Sequence, residues 1–269
     1  MVLKKRDAYA RGMPGILHAR AARDHFSYAD APPAADLAPF VEHYWIVRWD
    51  LRGRDPYTQW VLPYPSVNVT FTPGRCRVAG VPRGRFGEQL SGTGRVVGVR
   101  FRPGGFRPFL TAPVSAVTDR FVPFHELYDP AVADRVVGAR DDEAIRVLEE
   151  FLRSFGPRRD PDAELVAAAA DRAADPAIVR ADQLAAATGT GLRRLQRLFA
   201  DHVGVGPKWV IRRYRLHEAA ARAADGGDLD LVRLAAELGY SDQAHLTRDF
   251  TALVGQPPAR YARSQRPRP

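Results

Sequence analysis

Side chains able to do acid–base, nucleophilic or metal chemistry are few and scattered in this sequence. Its seven histidines form neither a His-x-His pair nor a His-Glu-x-x-His motif. No Gly-x-Ser-x-Gly elbow and no phosphate-binding loop is present either. A metal-dependent barrel enzyme is therefore disfavoured, and the sequence predicts no catalytic residue, no metal site and no cofactor.

The single cysteine, Cys76, excludes an internal disulfide and a multi-cysteine zinc site. It lies between two basic residues, in Gly74-Arg75-Cys76-Arg77. Flanking arginines can lower a thiol pKa, which would suit a redox or alkylation sensor. The simpler alternative is an ordinary thiol.

Arginine and amide side chains offer a different chemistry, hydrogen bonding to a polar partner. From Thr190 to Arg215 there are seven Lys and Arg and one acid, Asp201. This local cluster is more informative than the net charge of +9. Residues 1–160 hold 24 Lys and Arg against 18 Asp and Glu, and residues 161–269 hold 16 against 13. Net charge alone would thus favour the first half as the nucleic-acid binder.

The cluster falls inside an internal repeat. The first copy has Leu184-Ala185-Ala186, Gly189, Leu195, Arg197, Phe199, Gly204 and Pro207, and the second has Leu234-Ala235-Ala236, Gly239, Leu246, Arg248, Phe250, Gly255 and Pro258. The spacings agree except for one extra residue between Gly239 and Leu246. Matching at nine positions with one insertion indicates a duplicated unit.

Each copy has the pattern of a helix, a tight turn and a second helix. Gly189 and Gly239 stand where a residue that tolerates positive φ is needed. Thr190, and Asp242 or Ser241, are the predicted N-caps of the second helices. Leu192, Leu195 and Phe199, and in the second copy Leu246 and Phe250, form their predicted inward stripes, so the residues between them face outward. This pattern is typical of a helix-turn-helix unit, whose second helix enters the DNA major groove.

The segment Trp209–Ala224 contains no helix breaker, which predicts one continuous helix that joins the two units. A rigid joint would hold the second helices at a fixed separation. If that separation is about one DNA turn, roughly 34 Å, both helices can enter successive major grooves, and one monomer can read an asymmetric site.

Residues 162–263 resemble the DNA-binding domain of the AraC/XylS family of bacterial regulators. The resemblance rests on the run from Ala235 to Phe250 and on the closing segment from Gly255 to Tyr261. It implies base contacts, which we expect from Arg193, Gln196, Arg197, Gln243, Ala244, His245 and Arg248. Arg suits guanine, Gln suits adenine, and Ala can touch a thymine methyl. The sequence departs from the family at Gly191, where the first residue of that helix is usually Ser.

Residues 36–125 have the period-two alternation of short strands separated by Pro and Gly clusters. Val67, Val69 and Phe71 alternate with polar residues, as do Val97, Val99 and Phe101. The segment Val41–Trp49 places Val41, His43, Trp45, Val47 and Trp49 on one face, which we expect to be the inward one. Short strands with regular turns predict a small barrel or sandwich.

Residues 36–128 more loosely resemble the sensor-like N-terminal domains of some AraC-family regulators, through Trp45, the Leu62-Pro63 turn, Val78-Ala79-Gly80 and the run Gly98–Gly105. Inward aromatic side chains could line a pocket for a small molecule. The predicted pocket residues are His43, Trp45, Trp60 and Tyr64, with Trp49 beside them. The alternative is that these side chains are simply core.

The sequence therefore predicts an α+β chain: a mostly-β barrel or sandwich domain, then an all-α domain with two helix-turn-helix units joined by a linker helix. The first domain spans 1–155 and ends in a helix, Asp141–Phe155, with Asp141 as its predicted cap. This helix packs within its own domain or against a second subunit. A linker follows at 156–161, then the DNA-binding domain at 162–263 and a disordered tail at 264–269.

The function expected is a cytoplasmic DNA-binding transcription regulator that is not an enzyme. Its partners would be double-stranded DNA, a small-molecule effector of the N-terminal domain, RNA polymerase if it activates, and a second copy if it dimerises. The sequence contains no run of about 18 apolar residues, so we expect no membrane-spanning segment. The alternative is that the N-terminal domain is an enzyme or a protein-interaction module, with the C-terminal domain as its DNA anchor.

Overall fold

The computed structural model describes residues 15–158, 160–225 and 229–265, without the side chain of Arg20. The N-terminal half is built on two antiparallel sheets, one of six strands in the order β1-β2-β7-β4-β5-β8 and one that pairs β3 with β6. The strands are β1 (Ser27–Ala31), β2 (Val41–Leu51), β3 (Tyr57–Val61), β4 (Asn68–Phe71), β5 (Arg77–Ala79), β6 (Phe86–Leu90), β7 (Gly92–Phe101) and β8 (Phe121–Pro123); a short helix, α1 (Ala19–Ala22), precedes them.

A helical hairpin covers the inner face of the six-stranded sheet. It consists of α2 (Pro130–Gly138) and α3 (Asp141–Ser154). Two predicted inward runs are confirmed, since Val67, Val69 and Phe71, and also Val97, Val99 and Phe101, are all buried. They face Leu148 and Leu152 of α3, which places the apolar stripe of that helix within its own domain.

The predicted inward face of β2 is wrong beyond Val41. Tyr44 and Ile46 are the buried residues, whereas His43, Trp45, Val47 and Trp49 lie on the opposite, half-exposed face. The cause is a register shift between Val41 and His43, which sends the later side chains to the other side of the sheet. The ring of Trp45 lies over Gly98 of β7 and that of Trp49 over Gly94.

Downstream of Asp160 the structure is helical, as predicted. Gly189, Gly204, Gly239 and Gly255 all have positive φ, so the repeat places glycine where the chain leaves each helix. The predicted joining helix is confirmed as one unbroken element, α7. The helices are α4 (Pro161–Arg172), α5 (Ala181–Ala187), α6 (Leu192–His202), α7 (Pro207–Ala224), α8 (Leu231–Glu237), α9 (Gln243–Val254) and α10 (Pro258–Gln265).

Two predicted boundaries shift. Asp141 lies inside α3 rather than capping it, and its carboxylate pairs with Arg48 and Arg95 of the sheet. Helix α10 continues through Gln265, so the predicted tail at 264–269 begins two residues too early; residues 266–269 lie outside the described part of the chain.

The two halves share apolar cores instead of having one each. One cluster of buried side chains runs from the sheet through α3 into α4, α5 and α6, and a second joins Leu17 and Leu62 to α7, α8 and α9. Among the described residues, no helix has the length and hydropathy needed to cross a membrane.

Candidate nucleic-acid interface

Helix α6, the second helix of the first unit, begins without a side-chain cap. Its N-cap is Gly191, and Thr190, the predicted cap, has a buried hydroxyl without a hydrogen-bond partner in the described chain. The prediction for Thr190 is therefore wrong, because the cap position falls one residue later, on a glycine. Leu195 and Phe199 are buried as predicted, whereas Leu192 is 36% exposed.

The outward face of α6 carries three of the predicted DNA contacts. Arg193, Gln196 and Arg197 are all exposed, and their i, i+3 and i+4 spacing places them on one side of the helix. None of the three has a partner within the described chain. Their neighbour Arg194 instead pairs with Asp162 of α4 at 2.7 Å. Three polar side chains are thus free to bind a partner.

Helix α9, the second helix of the second unit, is capped as predicted. The Asp242 carboxylate accepts the backbone N–H of His245 at 2.7 Å. Gln243, Ala244 and Arg248 are exposed. Ala244 and Arg248, at i and i+4, share a face.

The seventh predicted contact, His245, is less free. Its Nδ1 lies 3.2 Å from the Ser241 hydroxyl, its ring meets the edge of Tyr240, and its Nε2 lies 3.8 Å from Asp249. The structure therefore brings six exposed predicted residues to the outer faces of α6 and α9, and holds His245 partly within its own unit.

Asp249 joins the second unit to the linker helix. Its buried carboxylate accepts hydrogen bonds from both Nε and Nη2 of Arg212, which form a bidentate pair between α9 and α7. Sequence reasoning grouped Arg212 only with the other basic residues. The pair orients α9 on α7.

The predicted ligand-pocket residues do not form one pocket. Trp60, in β3, carries the Arg85 guanidinium 3.4 Å from its ring centroid and packs against the second apolar cluster. The guanidinium carbon of Arg100 lies 3.9 Å from the ring centroid of Tyr64, and Arg100 stands opposite His43 in the pairing of β7 with β2. Trp45 donates from Nε1 to Asn68 at 3.4 Å. His43, Trp45 and Tyr64 therefore share a region, and Trp60 lies in another.

Tyr64 also contacts α7. Its ring stacks on His217 with centroids 3.7 Å apart, and His217 Nε2 donates to the Pro63 carbonyl at 3.2 Å. Burial, with a smaller contribution from nearby Arg100, lowers the pKa of His217 to about 3 and that of His43 to about 4. Both rings are neutral in this arrangement, so residues predicted to hold a ligand help to hold the linker helix.

Arg213 is a second contact that sequence reasoning missed. It is 2% exposed, donates from Nη2 to the Arg83 carbonyl at 2.9 Å, and lies 4.3 Å from the Trp209 ring centroid. Burial lowers its pKa to about 10. The signal was available: Arg213 stands three residues after Val210 and three before Leu216, on the buried face of α7.

An open cleft of about 600 Å³ lies where the N-terminal half, the segment around Arg158 and Asp160, and helix α6 meet. Across it, Arg107 Nε pairs with Asp201 of α6 at 3.1 Å. Its lining residues are Arg107, Pro108, Arg158, Asp160, Pro161, Asp162, Ala163, Asp201 and His202. In the described residues, no group of three or more His, Cys, Asp or Glu side chains is arranged to hold a metal ion.

Cys76 does not have the environment of a reactive thiol. Burial raises the thiol pKa, the opposite of the shift that flanking arginines would cause. The Cys76 thiol donates to the Thr72 carbonyl at 3.6 Å. The raised thiol pKa favours the ordinary-thiol alternative over the sensor.

Comparison with known proteins assigns both halves to described domains. Residues 184–264 match the model described as a helix-turn-helix domain, and residues 29–123 match a domain of unknown function, DUF6597. The first match covers α5 to α10, including both repeat copies, and the second covers the sheet.

Among solved structures, ToxT from Vibrio cholerae O395 is similar at 10% identity over 82% of this chain and 96% of its own, with a TM-score of 0.42. The same protein bound to (E)-4-(8-methylnaphthalen-1-yl)but-3-enoic acid gives 12% identity over 90% and 100%, with a TM-score of 0.43. Similarity at this level leaves the ligand of this chain to be argued from its own residues.

Two helices with outward polar faces, carried by a duplicated helix-turn-helix, have the architecture of a DNA-binding regulator. The chain carries an AraC-type helix-turn-helix domain at its C-terminus and a DUF6597 domain at its N-terminus. We call α6 and α9 its recognition helices.

Proposed function

We propose that this protein binds specific DNA sequences through both recognition helices, with base contacts from Arg193, Gln196, Arg197, Gln243, Ala244, His245 and Arg248. One observation carries this proposal: in the described chain, the exposed side chains of these outer faces make no hydrogen bond or salt bridge, namely Arg193, Gln196, Arg197, Gln243 and Arg248. Burial of guanidinium groups against guanine would supply partners that the protein itself does not. Two units on one chain suffice for an asymmetric site, so dimerisation is not required.

We further propose that a small molecule bound to the N-terminal domain controls DNA binding. Contacts between that domain and the linker helix support this, because a ligand inserted between His43 and Tyr64 would displace Tyr64 from His217. Control requires that the ligand bind two arrangements of the protein with different affinity. As an activator, the protein would also contact RNA polymerase.

DNA binding is tested by selecting sites from randomised duplexes and footprinting the full chain on them. The double variant Arg197→Ala/Arg248→Ala should bind its selected site at least about tenfold more weakly, because each good base contact contributes roughly 1–3 kcal/mol. Arg146→Ala, an exposed arginine of α3 remote from these faces, is the matched control. Normal footprints from the double variant would reject the residue assignment.

Effector control is tested by a thermal-shift screen of the full chain against metabolites. A ligand that stabilises the native protein should also change its affinity for the selected duplex. Loss of the shift in Tyr64→Ala would locate the ligand at the sheet, and loss in Arg107→Ala would locate it in the cleft. If no compound both binds and alters DNA affinity, control by a partner protein replaces this proposal; turnover of a compound would instead favour an enzymatic N-terminal domain.

A further inference from the structure

Both recognition helices end against the N-terminal domain. Helix α6 ends at His202 and is followed by Gly204, and helix α9 ends at Val254 and is followed by Gly255. Each of these glycines touches a loop of the sheet domain. Helices α6 and α9 are thus both attached to the sheet domain as well as to α7.

The attachment of α6 is close and specific. The Thr118 hydroxyl donates to the Gly204 carbonyl at 2.7 Å, and a Cβ at Gly204 would lie 2.6 Å from that hydroxyl. Val114 and Val117, in the preceding turn of the sheet domain, belong to the same buried cluster as Phe199 and Val203. The end of α6 therefore cannot move without disrupting apolar packing.

The attachment of α9 uses a different loop of the same domain. A Cβ at Gly255 would lie 2.4 Å from the guanidinium carbon of Arg85, whose other face covers Trp60. Beside it, His18 from the N-terminal segment contacts Gln265 of α10 at 2.8 Å and Gln256 at 3.2 Å. Leu17 and Leu62 complete the contact in the cluster that contains Phe250 and Leu253.

We propose that the DUF6597 domain is a determinant of DNA-site spacing: by holding the ends of both recognition helices, it fixes the distance and angle between them. This inference rests on the proposed DNA binding by both units. The domain would thereby contribute to site choice without touching a base, through Thr118 and Arg85 as positioning residues. The linker helix contacts the second unit through Arg212 and Asp249, and Arg213 and His217 attach the same helix to the N-terminal domain.

The consequence for DNA follows from helical geometry. One inserted base pair moves a half-site by about 3.4 Å and turns it by about 34°. A rigid pair of reading helices binds well only when its span matches the site, whereas a loosened pair binds a matched site less tightly and a mismatched site relatively better. Spacing tolerance is therefore a readout that a purely structural role would leave unchanged.

The experiment uses the full chain and the duplex it selects from a randomised library, together with versions in which one base pair is added or removed between the half-sites. Affinities are measured for the wild type, for Arg85→Ala/His18→Ala at the α9 attachment, and for Thr118→Val at the α6 attachment. Arg146→Ala is the control. Arg85 and Arg146 are both exposed, so neither substitution removes a core side chain.

We expect a change in spacing to cost the wild type and Arg146→Ala at least about tenfold in affinity, and to cost the loosened variants about threefold or less. Equal spacing penalties in the wild type and in both loosened variants would overturn the proposal, as would a wild type that tolerates the change. A selection that yields no two-part site would instead overturn DNA reading by both units, which is the failure of the proposed function.

Discussion

Asp249 is the residue whose removal most directly tests how α9 is held. Its carboxyl is 8% exposed and accepts two N–H groups of Arg212, whose side chain is 52% exposed. Because the arginine remains in contact with water, the pair is worth less than a fully buried one. Asp249→Asn should lower the free energy of unfolding by about 1–2 kcal/mol, measured by urea denaturation. Asp55→Asn, at an exposed carboxylate, is the control. Equal stability of both variants would show that the Arg212–Asp249 pair does not stabilise the fold.

His217 makes stability depend on pH. Its pKa is about 3 in the folded protein against an ordinary value of 6.5, so the unfolded chain takes up the proton first. The free energy of unfolding should therefore fall as pH drops below about 6.5, by up to about 1.4 kcal/mol per pH unit. The pKa of His43, lowered to about 4, adds to the same slope.

The test compares wild type with His217→Gln between pH 7 and 5.5, where most carboxylates stay ionised. Glutamine retains an N–H donor for the Pro63 carbonyl but does not titrate. We expect the wild type to lose about 1 kcal/mol more than the variant over this range. His125→Gln, at an exposed histidine, should keep the wild-type slope. Parallel curves for the wild type and His217→Gln would disprove the burial of a neutral ring.

Single residues show where sequence reasoning succeeded and where it stopped. Arg193 and Arg197 were predictable as outward because their helix has apolar residues at regular spacing, a local property. Arg213 was not predicted as buried, because its partner, the Arg83 carbonyl, is 130 residues away in the chain. Local spacing could mark the face of Arg213 as inward, but only the folded chain brings in the Arg83 carbonyl that accepts its hydrogen bond.

At the scale of elements, α6 offers an unused stabilising position. Its N-cap, Gly191, has extended backbone angles, and a Cβ there would meet no atom within 4 Å. Gly191→Ser would supply the missing cap acceptor and should raise the free energy of unfolding by a few tenths of a kcal/mol. Gly189→Ser, equally open but at φ +64°, should lower it by about 1 kcal/mol. Thermal unfolding checks both; stabilisation by Gly189→Ser would contradict the turn geometry.

Helices were predicted better than strand faces, for a physical reason. The helix-turn-helix repeat encodes its turns by glycine and its inward stripe by local spacing, so both copies and α7 were predictable. In β2 one irregular step reverses every later side chain, and no local pattern announces it. Gly94 and Gly98, opposite Trp49 and Trp45, were the available hint that large rings lie on that face.

At the scale of the whole molecule, the sequence predicted two domains divided by a linker, and the structure joins their apolar side chains into shared clusters. Short-range patterns define each half but cannot show that Val114 and Val117 pack with Phe199 and Val203. The exposed segment around Gly156 and Arg158 looks like a linker between independent domains, yet the apolar contacts on both sides of it are continuous. A shared core implies cooperative unfolding of the parts that share it.

Cutting the linker should therefore leave the molecule assembled. Limited tryptic cleavage near Arg158, followed by size-exclusion chromatography in native buffer, should yield two fragments that elute together, because the buried cluster of sheet and α6 side chains remains intact. Val117→Asp places a charge in that cluster, and its cleaved fragments should elute separately. Val232→Asp, at a side chain 66% exposed on α8, is the matched control and should behave as the wild type. Separate elution of the wild-type fragments would show that the interdomain packing does not hold the halves together, and would remove the physical basis for a spacing role of the N-terminal domain.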